Sequence, residues 1–145
     1  MRHLHAALIV AALAGISAAT TGAQAADLVY GVDVSDPGAC ADQRVLARIS
    51  QRFRYQVRHV PNLPDVEIIG YARLGENRYL PKSERHPISR RYCHGSVDLS
   101  DGQRRSMWYL IERPMGFAGI GSNVEFCISG FDRWLVYGGH CRVLQ

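Results

Sequence analysis

The sequence predicts an α+β domain: one N-terminal helix packed on a roughly four-stranded antiparallel sheet, held by two disulfides. Three observations carry the expectation. Val45, Ile49, Phe53, Val57 and Val60 recur at spacings of three or four, the period of one helix face. Strand-like runs follow, two of them flanking Asp101-Gly102, a dipeptide that favours tight hairpin turns. Four cysteines, Cys40, Cys93, Cys127 and Cys141, lie behind an export signal, and an even number in an exported chain implies two disulfide bonds.

The signal comes first in the chain. Arg2, His3 and His5 make a weakly basic start, residues 6–19 are apolar and small, and Ala23-Gln24-Ala25 has the small-x-small form of a cleavage site. The apolar run is too short and alanine-rich for a good membrane span, which disfavours the rival reading as an uncleaved anchor. Residues 1–25 are expected to be a signal peptide, and residues 26–145 a single domain large enough for a modest core. No transmembrane segment is expected after signal cleavage.

Residues 28–34 are a short apolar run, suited to an edge strand or an extended lead-in. Asp36 is the expected helix cap, with Pro37 at the first helical position. Leu46 joins the apolar helix face, Arg44, Arg48, Arg52, Arg54 and Arg58 flank it, and Pro61 and Pro64 end it. Residues 65–74 read as a strand through Val66, Ile68 and Ile69, Gly75-Glu76-Asn77 as a turn, and residues 78–80 as a short returning strand. Residues 81–87 are polar, with two prolines, and read as an exposed loop. The hairpin follows, then a glycine-rich loop over residues 113–123 and an alternating strand over 124–129. Residues 131–137 are expected to hold a turn and a last strand. Cystatin-like folds have this order of helix and strands, an analogy of architecture that says little about function.

If Asp101 and Gly102 are the whole hairpin loop, Ser100 pairs with Gln103. Asp98 then faces Arg105, Arg91 faces Glu112, and Gly95 lies under the Trp108 indole; such cross-strand pairs contribute about 0.2–1 kcal/mol each. Cys93, Val97, Trp108 and Leu110 share the more apolar face, which the helix should cover, and Cys40 lies at the start of that helix. On the strand over 124–129, Val124, Phe126 and Ile128 should face the core and turn Cys127 outward, where Cys141 can return to it. Of the three possible connectivities, this assignment favours Cys40–Cys93 and Cys127–Cys141.

The chain has 17 basic and 13 acidic residues, a net charge of +4, and Lys82 is its single lysine. The excess is too small to argue for nucleic acid, and export argues against it further. It suits contact with anionic envelope polymers or lipids. No C-x-x-C or H-x-x-H spacing occurs, so a metal site is not expected, nor is a cofactor. Gly116, Gly119 and Gly121 run G-x-x-G-x-G between strands, without the helix N-terminus that phosphate capture needs.

No catalytic residue emerges. His94, Ser96 and Asp98 alternate along one strand, but same-face neighbours lie about 6.5–7 Å apart, too far for nucleophile–base contact. A polar solvent face is the better reading. Glu112 and Glu125 would make a glycosidase pair only across a cleft, for which one small sheet leaves little room. His140 reads as a surface histidine beside a disulfide. Phe131, Trp134 and Tyr137 are a candidate sugar-stacking platform, with core or edge packing the better account. The candidate contact surface is instead Met115, Phe117 and Ile120 of the glycine-rich loop, with Arg44, Arg48 and Arg52 on the helix. Apolar residues at a loop tip either cap the core, as expected of Phe117, or offer a contact. The arginines form either a solvated helix face or a surface for an anionic partner.

The stretch Gly116-Phe117-Ala118-Gly119-Ile120-Gly121-Ser122-Asn123-Val124-Glu125-Phe126-Cys127-Ile128-Ser129-Gly130-Phe131-Asp132, with Arg90-Arg91-Tyr92-Cys93 before it and Tyr137, Cys141 and Arg142 after it, resembles a family of small exported alphaproteobacterial proteins. The resemblance covers roughly the C-terminal half. That family has no assigned activity, so the resemblance implies export and the cysteine framework and lends no catalytic residue. The expectation is a periplasmic or secreted binding module of the cell envelope, its partner an envelope protein or an anionic polymer. A small envelope hydrolase is the alternative. An inhibitor of a hydrolase comes third, because inhibitors of basic lysozymes would be expected to present acidic loops and this chain is mildly basic.

Overall fold

The computed structural model of the protein describes residues 37–115 and 121–145. The expected signal peptide, the 28–34 run, the Asp36 cap, Phe117 and Ile120 lie outside the described residues.

A 3-10 turn, Pro37–Ala41, leads into α1, Gln43–His59. Asp42 is the cap: its Oδ1 accepts the Arg44 amide at 2.9 Å, satisfying a helix-end donor that has no partner within the helix. Val45, Leu46, Ile49, Phe53 and Val57 are buried, as their period predicts, and Val60 is the C-cap just before Pro61. Four antiparallel strands follow in simple sequential order: β1 (Ile68–Leu80), β2 (Ser89–Leu99), β3 (Arg104–Arg113) and β4 (Asn123–Ile128). The helix lies on one sheet face, where its apolar stripe meets Cys93, Val97, Met107, Tyr109, Ile111, Val124 and Ile128. The expected α+β architecture is present, as are both expected disulfides, with Cα separations of 5.8 Å for Cys40–Cys93 and 5.7 Å for Cys127–Cys141. Disulfides persist in oxidising compartments. Among the described residues no helix is long and apolar enough to cross a membrane.

The hairpin differs from expectation by one residue. Its loop is Ser100-Asp101-Gly102: the Gly102 amide donates to Leu99 O and the Leu99 amide to Gln103 O, both at 2.9 Å. Within the loop only Gly102 has positive φ, +80°. This is a three-residue loop closed by a glycine bulge; a two-residue type I′ turn needs both central residues at positive φ. Asp98 therefore pairs with Arg104 and Arg90 with Glu112, while Gly95 faces Met107 and His94 faces Trp108. A one-residue slip carries every β3 side chain to the other face relative to β2. Met107, Tyr109 and Ile111 take the helix side, and the Tyr109 hydroxyl donates to Cys40 O at 2.5 Å. Burial pushes the pKa of that phenol well above its ordinary value.

Trp108 and Leu110 accordingly sit on the face away from the helix. There a second 3-10 segment, Gly139–Leu144, packs on β3 and β4. Leu110, Cys127, Cys141 and Leu144 form a second buried cluster with Tyr92, Trp108 and Tyr137 against it.

Two other expectations are corrected. Gly75-Glu76-Asn77 is not a turn. β1 runs through it as one strand, with register shifts against β2 between Ala72 and Gly75 and between Glu76 and Arg78. Gly75 is pressed against His94, whose Cε1 lies 2.7 Å from where a Cβ would stand; the glycine lets the strand pass the imidazole where a turn was expected. Residues 131–137 hold no strand. The Asp132 carboxylate accepts the amides of Val136 and Tyr137 at 2.8 and 2.9 Å, so this segment meets its backbone needs locally and adds nothing to the sheet edge. Residues 81–87 are exposed, as expected.

Candidate functional site

Arg44, Arg48 and Arg52 stand four residues apart on α1, so helical geometry sets them in one row. The row lies beside the segment that enters β4. Arg48 Nη1 donates to Ser122 O at 2.5 Å, and Arg52 Nη1 donates to Val124 O. At the end of β3, Arg113 approaches from the other side, its Nη2 3.6 Å from Asp42 Oδ2. Two adjoining clefts of about 460 and 400 Å³ open between the helix and the described residues that end β3 and lead into β4. Arg44, Arg48, Arg52, Arg113, Met115 and Ser122 line them. The structure thus assembles four of the six expected contact residues, Arg44, Arg48, Arg52 and Met115, and adds Arg113.

The chemistry of this groove is cationic. Among the described residues its one lining carboxylate, Asp42, serves as the helix cap, and the Arg44 amide, with the Arg44 and Arg113 guanidinium groups adding to it, holds its pKa below the usual carboxylate range. Each guanidinium carries five N–H donors, so among the described residues the backbone bonds of Arg48 and Arg52 fix their positions and leave donors for an anion. The Arg44 side chain is 93% exposed. Arg44 thus faces solvent, while Arg48 and Arg52 pin the segment entering β4, a role the sequence did not suggest.

The other residues that drew notice in the sequence are dispersed. Ser96 donates to Ala72 O at 3.2 Å, and Asp98 accepts from Arg104 at 2.6 and 3.0 Å. Glu112 accepts from Arg90 at 3.0 Å and from Asn123 at 3.2 Å. Phe131 is buried, edge-on to Phe53 with ring centroids 4.9 Å apart, so it cannot share a sugar platform with the exposed Trp134. Among the described residues no group of three or more His, Cys, Asp or Glu is placed to hold a metal ion.

The run Trp134-Leu135-Val136, which the alternation places in a last strand, is exposed. Gly130 and Gly138, both at positive φ, bracket it. That bracketing was visible in the sequence and is the signal for a loop. No protein-family model, curated protein or solved structure matches the chain.

Proposed function

We propose that the protein is a periplasmic binding module of the cell envelope that presents its arginine-lined groove to an anionic partner, an envelope polymer or an acidic protein segment. The observation that carries this is the convergence of Arg44, Arg48, Arg52 and Arg113 on one groove whose single carboxylate among the described residues is engaged as a helix cap. The disulfides and the apolar N-terminal run support the compartment. Clefts lined by one sign of charge attract counter-charged ligands.

The test is retention of the oxidised protein on immobilised dextran sulfate across a salt gradient, together with the Arg44→Ala/Arg113→Ala variant. Two charges at contact distance, partly screened, are worth about tenfold in affinity. The variant should lose that much and elute at lower salt, with its melting temperature nearly unchanged. Equal retention of variant and parent would remove the groove from the function.

A further inference from the structure

The C-terminal segment offers a second surface, near the other end of α1. Trp134, Leu135, Val136 and Val143 are 64%, 62%, 66% and 61% exposed. The segment is closely tied. The Val143 amide donates to Tyr137 O at 3.0 Å, and the Leu135 amide to Asp132 O at 3.1 Å. Cys127–Cys141 fastens it to β4, and Gln56 Nε2 donates to Phe131 O at 2.8 Å. Leu135 sits at φ +54°, a conformation strained for a residue with a Cβ. A fixed and locally strained backbone thus holds three consecutive apolar side chains in water.

Charge indicates what covers them. Arg133 and Arg142, both exposed, flank Trp134, Leu135 and Val136 in the sequence, and no side chain in residues 133–145 is a carboxylate. Two carboxylates lie close to Tyr137 and, after burial, help raise its pKa: Asp132, which is engaged by the amides of Val136 and Tyr137, and Glu125 of β4. A second copy docked through the same patch would bring like arginines together, because two-fold contacts oppose identical surfaces.

We propose that this tip docks the protein on an anionic lipid surface, with Trp134, Leu135 and Val136 entering the headgroup region while Arg133 and Arg142 contact lipid phosphates. Apolar side chains flanked by cations make up interfacial anchors, and an indole suits the boundary because one end is apolar and the other polar. The inference uses a surface distinct from the groove. Arg44 and Gln56, the latter beside the segment, are about 18 Å apart along the helix axis, roughly twice the screening length at physiological salt.

The test is flotation of the oxidised protein with vesicles of phosphatidylcholine alone and of phosphatidylcholine with phosphatidylglycerol, read alongside tryptophan emission. The parent should float with the anionic vesicles only, with a blue-shifted emission that Trp134→Ala abolishes. Leu135→Gly separates binding from folding: glycine relieves the positive φ, so the melting temperature should hold or rise, while vesicle partition falls about tenfold with the buried leucyl area. Arg85→Ala, in the exposed loop over residues 81–87 and outside both surfaces, should leave flotation unchanged within about twofold. Failure of the parent to float with anionic vesicles would overturn the proposal. So would unchanged flotation in both tip variants. A dimer that Leu135→Gly converts to monomer, without vesicle binding, would also overturn it and assign the patch to a second copy.

Discussion

Arg91 shows how much can rest on one side chain here. It is buried on the helix face of β2, ion-paired to Glu76 of β1, with its guanidinium carbon 4.3 Å from the centre of the Tyr79 ring. Removing one partner of a buried pair leaves a charge with little water to replace it. Glu76 is half-buried and Arg91 keeps its contact with the Tyr79 ring, so Glu76→Ala should cost about 1–3 kcal/mol in urea unfolding, and replacing both partners with methionine should recover much of that. A loss below about 1 kcal/mol would mean that water reaches the arginine freely. The pair also shows why charges did not reveal the hairpin register. Arg90-Arg91 and Arg104-Arg105 are doublets, so Glu112 and Asp98 find an arginine opposite in either of two registers one residue apart. The structure uses Arg90 with Glu112 and Arg104 with Asp98, which leaves Arg91 for Glu76.

At the scale of elements, α1 was the most legible because its apolar period is a property of the chain alone. Its start was not: Asp36 and Asp42 both precede helix-compatible residues, and the 3-10 turn from Pro37 moves the cap to Asp42. Asp42→Ala should cost about 1 kcal/mol, the usual worth of a capping side chain. The pH dependence follows from the lowered pKa of Asp42. The group is charged in the folded state at pH values where it would already take up a proton in the unfolded chain. Its contribution is thus complete above the ordinary aspartate pKa and is lost as pH falls through the folded value. The stability difference between parent and Asp42→Ala should shrink below about pH 4 in acid titrations followed by circular dichroism. A difference that is constant down to pH 2 would show that the carboxylate charge does not matter to the cap.

For the whole molecule, the two disulfides fasten opposite faces of one sheet. Cys40–Cys93 ties the entry to α1 onto the helix face across 53 residues, and Cys127–Cys141 ties the C-terminal segment onto the other face across 14. Chain-entropy arithmetic makes the longer loop worth about 4 kcal/mol and the shorter about 3 kcal/mol. Replacing each pair with serine should rank the variants in that order in urea unfolding. The reverse order would mean that native-state packing of the C-terminal segment, and not loop length, sets the contribution. The Cys127→Ser/Cys141→Ser variant should also free residues 131–145 to exchange amide protons faster while β1 to β3 keep their protection.

What the sequence determined by itself is what short-range alternation and period can encode: one amphipathic helix, the inward faces of β2 and β4, and through them the disulfide partners. Cys93 shares a face with Val97 whatever lies opposite, and Cys127 alternates with Val124, Phe126 and Ile128 wherever that strand is placed. The pairing was therefore readable despite a wrong hairpin register. Tertiary structure decided the rest. β3 is apolar on both faces, Met107, Tyr109 and Ile111 on one and Trp108 and Leu110 on the other, so its pattern cannot say which set meets the helix. The three-residue loop and the contacts on both sides choose. Gly75 looks like a break in the sequence because the His94 ring it accommodates lies nineteen positions further on. The groove, likewise, exists only because α1 lies beside the segment entering β4, bringing Arg48 to Ser122 across 74 residues of chain.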